Sequence, residues 1–508
     1  MLIRSIATVG GFTLISRLLG FARDVLIAAL LGAGPVADAF FVAFRLPNLF
    51  RALSAEGAFS VAFVPIYARL LAGDGRLAAL RFAQDALAVM LALLTVLVVA
   101  GELAMPWIMR VFAPGFAGDP AQMALAVDLG RLTFPYLLLI SLTAFQGAVL
   151  NAHKRFAGMA AAPILLNLSF LAAPPLLAPF TPTIGHALGW SVILGGFAQF
   201  FFLAWVCHRE GISIRLPVPR LTPGVKRLFA RMGPGILGAG ITQFNLVVGT
   251  VLATLVADGA VSYLYYADRL SQLPLGVVGT AVGTALLPLL ASELRTDPAR
   301  AAATHNRAME AALLLALPAA AGLAALAEPI VALLFQRGAF GPVEVRATAD
   351  AVAAYALGLP AFVLVKALAP GFLAREDTAT PMKLGAVVVA VNLGLNLALM
   401  GPLGHVGIAL GTTLAAWVHV ALFWVVLARR GHFTLDSGAR RTLPRLLVAA
   451  IGMGGLIVLA KPHLGSGGLA LGLLIGAGGL AYAGLVLLTG AARIADLRRA
   501  LRRPPQKR

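Results

Sequence analysis

The chain has 508 residues, 60% of them hydrophobic and only 12% charged, with a mean hydropathy of +0.91; this is the composition of an integral membrane protein. A lone Cys207 excludes an intrachain disulfide and any multi-cysteine metal site. The net charge of +19 would suggest nucleic acid in a soluble protein, but the positions of the basic residues explain it better, and no nucleic acid is expected.

Fourteen helices can be read along the chain. They fall near 6–31, 36–68, 82–108, 121–152, 156–179, 185–207, 227–255, 259–291, 308–334, 347–374, 379–400, 405–428, 442–460 and 467–490. Several exceed the ~20 residues of a span and contain Pro or Gly, so tilted or broken helices are expected. The apolar stretch after Arg4 is interrupted by Arg17, Arg23 and Asp24, so it reads as a first helix and not as a cleavable signal. After every second helix the connection is basic. With Arg4 and the tail, these connections hold 29 of the 40 Lys+Arg, whereas the alternate ones hold Arg110, Arg337, Arg346 and Lys461. That asymmetry predicts a multi-pass membrane protein with both termini in the cytoplasm.

An internal repeat is visible at a spacing of about 224: DAFFVAFRLPNL from Asp38 lies over SYLYYADRLSQL from Ser262, setting Arg45 on Arg269. Pro135 likewise lies over Pro360, and Asn167 over Asn392. Each repeat holds six helices, an even number, so the halves should share an orientation and be related along the membrane normal, with a site between them. The expected organisation is an N-lobe over 1–210, a cytoplasmic linker over 211–226, and a C-lobe over 227–430. Two further helices over 431–490 have no counterpart in the repeat, and a basic tail covers 491–508.

The charges inside the helices carry the function. A charge at the bilayer centre costs about 2.5–3.5 kcal/mol even on the lenient insertion scale, yet Arg17, Arg23, Asp24, Asp38, Arg45, Arg51 and Glu56 crowd the first two helices. They can persist only facing one another or a water-filled cavity, and the excess of cations predicts an anionic cargo. Residues i and i+7 share a helix face, which pairs Arg17 with Asp24 and Ser16 with Arg23, and puts Asp38, Arg45 and Asn48 on one stripe. Pro47 breaks that stripe and re-aims Arg51 and Glu56. Arg269 adds a cation from the second half. The guanidinium fork stays charged and meets phosphate oxygens with paired hydrogen bonds. The plainer reading of the same charges is a set of interhelical ion pairs that fix the bundle. Asn167 and Asn392 read as hydrogen-bond glue between helices. No Gly-Lys dipeptide occurs, so there is no P-loop, and no metal or cofactor is expected.

The stretch SRLLGFARDVLIAALLGAG from Ser16, then ADAFFVAFRLPNLFRALSAEGAFSVAFVPIY from Ala37, closely resembles the MurJ/MviN lipid II flippases, as does YYADRLSQLPLGVVGTAVGTALLP from Tyr265. The resemblance runs the full length. It implies an all-α membrane protein of the multidrug/oligosaccharidyl-lipid/polysaccharide exporter superfamily, a transporter and not an enzyme. Its cargo would be the undecaprenyl-diphosphate-linked peptidoglycan precursor lipid II, moved to the outer leaflet by alternating access. Membrane lipids, and other cell-wall synthesis proteins, are the further partners it implies. It places Arg17, Arg23, Arg51 and Arg269 against the diphosphate and sugar head. Ser16, Asp24, Asp38, Arg45, Asn48, Glu56, Ser262 and Gln272 fall at cavity or gate positions, and the last two helices form a groove for the lipid tail. Gln272 stands where the family has a glutamate. The alternatives are a related polysaccharide-lipid flippase or a drug/cation antiporter of the superfamily, and, from another class, a non-transporting scaffold or enzyme of envelope synthesis. An antiporter for cationic drugs would favour a carboxylate-rich cavity, against the excess of arginine.

Overall fold

The computed structural model describes residues 2–52, 59–213, 215–464 and 467–491, and all secondary structure among them is helical. The chain divides into two compact units: Met1–Ser262 with Arg337–Phe340, and Tyr263–Gln336 with Gly341–Arg508. The first contains α1 (Leu2–Leu31), α2 (Pro35–Phe50), α3 (Phe59–Gly73), α4 (Gly75–Phe112), α5 (Pro120–Thr133), α6 (Tyr136–Ala152), α7 (Phe156–Leu177), α8 (Ile184–Arg209) and α9 (Pro223–Thr254), and ends in the first turn of α10 (Ala260–Thr296). The second contains the rest of α10, then α11 (Pro298–Ala325), α12 (Ala327–Phe335), α13 (Pro342–Ala356), α14 (Leu359–Leu368), α15 (Pro370–Leu373), α16 (Ala379–Arg429), α17 (Ser437–Ala460) and α18 (Gly468–Leu488).

Proline and glycine account for most differences from the expected spans. The helix read over 121–152 is two, because Pro135 at the junction of α5 and α6 has no N–H to continue the ladder. Pro360 and Pro370 similarly open α14 and α15. The helices read over 379–400 and 405–428 run on as α16, broken only by a kink at Gly404, with φ 60° and ψ −137°. A continuous helix of that length would be about twice a bilayer's thickness, so the kink divides two spans. Among the described residues, nine helical stretches are long and apolar enough to cross a membrane. The remaining helices include α1, α2 and α10, which carry the charged residues.

In the first unit, Phe59, Phe63 and Tyr67 of α3, Phe82 of α4 and Phe145 of α6 form a buried core with Val225, Leu228 and Met232 of α9. Phe63 stacks on Tyr67 and Phe82 with ring centroids 5.4 and 5.5 Å apart. The core of the second unit is centred on Phe372, Phe423, Phe433 and Met453. There α17 packs on α11, and Tyr482 of α18 donates to the Leu314 carbonyl at 3.0 Å. The outward faces of α17 and α18 expose Leu447, Val448, Ile451, Leu473, Ile475 and Leu480, as suits helices bathed in lipid.

Two glycine-keyed contacts in the first unit lie at the repeat spacing from one another. Gly115, in the 3₁₀ turn Pro114–Gly118, donates its N–H to the Thr254 hydroxyl at 3.3 Å, so close that a Cβ there would stand 1.7 Å from the Thr254 carbonyl oxygen. Its counterpart, Gly338, has φ +59° and sits against Ala29, where a Cβ would come within 2.2 Å of the carbonyl oxygen. Beside it the Ala339 N–H donates to that oxygen at 2.8 Å. Gly115→Ala is therefore expected to force this turn off the end of α9, at a cost of about 1–3 kcal/mol. A lowered thermal midpoint in detergent would record it. Gly118→Ala, with nothing within 4 Å of the new methyl, should leave that midpoint unchanged.

In the second unit a loop clasp joins the start of α16 to its far end. Arg430 pairs with Asp377 at 2.6 Å and donates to the Thr380 hydroxyl at 3.0 Å, while the Thr380 N–H donates to Asp377 at 2.9 Å. Hydrogen bonds from Thr380, and then from Arg430, pull the Asp377 carboxyl down from its ordinary 3.8 to about 2. A depressed carboxyl contributes stability above its unfolded pKa and loses it as pH falls through the folded one. The clasp should thus hold above about pH 4 and release toward pH 2. Amide exchange of residues 374–380, corrected for intrinsic rates, should rise across that window in the wild type and be uniformly fast in Asp377→Asn.

Candidate functional site

The charged residues of α1 do not pair as the seven-residue spacing suggests. Asp24 is taken by its neighbour Arg23, which donates to Oδ1 through Nε at 3.0 Å and Nη2 at 2.8 Å. The side chains are 14% and 6% exposed, so the pair is largely desolvated. The other arm of the fork, Nη1, donates to Asn167 Oδ1 on α7 at 3.1 Å. Asn167 in turn donates through Nδ2 to the Ser16 carbonyl at 2.9 Å, tying α7 back to α1. The Phe170 ring lies 5.4 Å from the Arg23 guanidinium carbon and is itself wedged edge-on against Phe44 and Phe40 of α2. Carboxylate, amide and aromatic face thus fix one guanidinium in one orientation.

Arg17, on the same helix, is exposed and makes no hydrogen bond or ion pair among the described residues. Asp24 neutralises Arg23, so Arg17 supplies the net positive charge of this stretch. One guanidinium is thus held in a fixed direction, and the same helix carries a second, exposed cation.

Asp38 has a different occupation from the arginine stripe expected of it. It is 1% exposed, and its Oδ2 accepts the Gly259 N–H at 2.7 Å. Its Oδ1 accepts the Ser262 N–H at 2.9 Å and the Ser262 hydroxyl at 2.5 Å. These N–H groups belong to the start of α10 and the residue before it, so Asp38 caps a helix remote in the chain, its first bonded partner 221 residues on. The repeat that aligns Asp38 with Ser262 equates two residues that are bonded to each other.

Further along α2, Arg45 donates to the Leu246 carbonyl at 3.1 Å, and Asn48 accepts from Arg51 Nε at 3.2 Å while donating to the Phe44 carbonyl at 2.9 Å. Glu56 lies outside the described residues. In the second unit the Arg269 guanidinium sits 4.7 Å from the centre of the Tyr265 ring, and Gln272, exposed, donates to Asp268 at 2.5 Å. With a neutral amide at 272, this turn of α10 makes an amide–carboxylate hydrogen bond where a glutamate would have faced Asp268 with a like charge.

Asn167 was read as glue between helices, and its bond to the Ser16 carbonyl is that; its hold on Arg23 is what the sequence did not give. Its one signal was the register with Asn392, which is also buried. Both described acids of the first unit's constellation are committed, Asp24 to a guanidinium and Asp38 to backbone N–H groups.

Comparison with known proteins follows the same line. The family model described as lipid II flippase MurJ matches residues 27–475. The chain is 43% identical to a probable lipid II flippase MurJ of Rhizobium tropici, over 99% of this chain and 97% of that protein. It is 38% identical to the lipid II flippase MurJ of Burkholderia cenocepacia, over 90% and 89% of the two chains. In fold it is similar to a solved lipid II flippase MurJ in an inward closed conformation, with a TM-score of 0.80 at 23% identity, covering 97% of this chain and 99% of that one. An inward-facing multidrug resistance MATE family transporter aligns with a TM-score of 0.69 at 15% identity, over 82% and 94% of the chains.

Proposed function

This chain belongs to the lipid II flippase MurJ family, and on that premise we propose that it carries lipid II from the inner to the outer leaflet of the bacterial cytoplasmic membrane by alternating access, for cell-wall synthesis. It is a multi-pass membrane transporter and not an enzyme. The observation that best supports an anionic head group as cargo is the Arg23 fork, held by Asp24, Asn167 and Phe170 on the helix that also presents the free charge of Arg17. Arg17, Arg23 and Arg51 are the proposed diphosphate and sugar contacts of the first unit, and Arg269 that of the second. Ser16, Asp24, Arg45 and Asn48 line or brace the path, and Asp38 with Ser262 acts at a gate.

The proposed division is an N-lobe over 1–210, a linker over 211–226, a C-lobe over 227–430, and α17 and α18 as the groove for the prenyl tail. The apolar outward faces of those two helices support the last assignment. Both termini are proposed to be cytoplasmic, on the strength of the basic connections. A cationic-drug antiporter is disfavoured, because such a cargo favours free carboxylates, and Asp24 and Asp38 of the first unit are already committed.

Depletion of the protein in its host, with lipid II exposure read by an externally added probe, tests the reading. Wild type should restore exposure, and Arg17→Ala, Arg23→Ala and Arg269→Ala should not, despite normal insertion. Unchanged exposure on depletion, in a host lacking a second flippase, would overturn the substrate assignment.

A further inference from the structure

The segment joining α8 to α9 is basic and unusually apolar for a connection. Arg215, Arg220, Lys226, Arg227 and Arg231 fall within it and the start of α9, and no acidic residue occurs between Glu210 and Asp258. Its depth is marked at the end of α8, where Trp205 is 53% exposed and Arg209 stacks over its ring at 4.9 Å. An exposed tryptophan with a basic partner at a helix end is the signature of the headgroup layer. The chain then turns at Gly211, φ +66°, with the Ile212 N–H returning to the Cys207 carbonyl at 2.9 Å and Arg76 donating to the Gly211 carbonyl at 2.5 Å.

Both ends of the segment are held in one core. Ile212 at its start, and Val225 and Leu228 just after it, are buried in the same core cluster. Residues 215–221 between them form no helix, and there Leu216, Val218 and Leu221 are 59%, 73% and 62% exposed, interleaved with exposed Arg215 and Arg220. Exposed leucines on the spans face acyl chains; these three lie beyond the spans, where water would be a poor neighbour. Aliphatic side chains alternating with arginines at headgroup depth match an interfacial anchor, whose affinity adds apolar burial to attraction for anionic lipid.

We propose that residues 215–222 form an interfacial strap that sinks Leu216, Val218 and Leu221 into the headgroup–acyl boundary and gathers anionic phospholipid headgroups on Arg215, Arg220, Lys226 and Arg227. The strap connects the repeats, so the lipid charge of that leaflet acts on the segment that joins them. The inference rests on membrane insertion alone and is independent of what the protein carries.

Val218→Cys supplies the test, because the one native thiol, Cys207, is buried. The full-length variant is labelled at that position with an environment-sensitive fluorophore. It is then placed in nanodiscs of phosphatidylcholine alone or with increasing phosphatidylglycerol. Anionic discs should shift the emission to the blue, allow quenching by acyl-brominated lipid and protect the label from aqueous iodide. Each basic residue near a charged surface is worth about 1 kcal/mol, or roughly five-fold. Arg215→Gln with Arg220→Gln should therefore move the midpoint of the shift to a several-fold higher anionic fraction. Iodide-accessible, unshifted emission in every disc overturns the strap, leaving a solvated connection or a surface for another protein. Protection that persists in phosphatidylcholine and after both arginine substitutions overturns the anionic-lipid assignment.

Discussion

Arg23→Ala is expected to abolish transport while leaving the protein in the membrane. The substitution strands Asp24, whose side chain is 6% exposed, and breaking a buried ion pair from one side costs about 3–5 kcal/mol. It also removes the fork that Asn167 and Phe170 hold in place. Arg23→Lys should fail as well, by about ten-fold or more. A lysine carries its three donors on one point, and cannot serve Asp24, Asn167 and a phosphate oxygen from fixed directions.

Asn167 separates positioning from mere packing. Asn167→Ala loses one hydrogen bond to a charged group, about 1.5–3 kcal/mol, and should slow transport by about ten-fold or more. Asn167→Asp keeps the shape and gives Arg23 a second carboxylate, cancelling the free charge of Arg17. It also loses the Nδ2 donor to the Ser16 carbonyl and sets an acceptor against it, so it should be worse than alanine in both transport and protein level. Initial rates of lipid II exposure, set against protein level, distinguish these outcomes.

The second large effect is expected at Asp38. Asp38→Ala leaves the N–H groups of Gly259 and Ser262 buried without acceptors, each costing about 1–3 kcal/mol, and removes a carboxylate from the positive end of α10. The thermal midpoint in detergent should fall by several degrees and transport should suffer with it. Asp38→Asn retains one carbonyl oxygen for Ser262 but turns an amide NH₂ toward the Gly259 N–H, and should fall between. An alanine variant as stable as wild type would mean that the first turn of α10 finds its partners elsewhere.

Much of this site could be read from the chain because charge in an apolar stretch is costly and therefore informative. Arg17, Arg23, Asp24, Asp38 and Arg269 stood out on that ground alone. The pairings could not be read. The seven-residue spacing offered Asp24 to Arg17, but adjacent side chains with long arms can reach each other, and Arg23 took it. Asp38 was assigned to the arginine stripe, whereas the demand that claimed it came from backbone N–H groups at a helix start, which no side-chain pattern announces. The hold of Asn167 on Arg23 was hidden for a related reason. Buried asparagines in membrane helices look alike in sequence whether they join two helices or hold a functional arginine.

Helix existence was legible from hydropathy, and continuity was not. Pro135 divides one predicted helix, yet Pro47, Pro65 and Pro106 sit inside helices that continue past them. Gly115 and Gly338 carried no signal at all, since a glycine needed for a close backbone approach is indistinguishable, in one sequence, from the many in this chain that have open space around them.

The most direct measurement reconstitutes the purified full-length chain in liposomes carrying lipid II in both leaflets, and follows its accessibility to a membrane-impermeant probe. If the account is right, wild-type protein brings the inner-leaflet pool to the probe and Arg23→Ala protein, inserted to the same level, leaves it protected. Equal exposure with both proteins, or none with either under an imposed membrane potential or ion gradient, would contradict an arginine-centred path for lipid II.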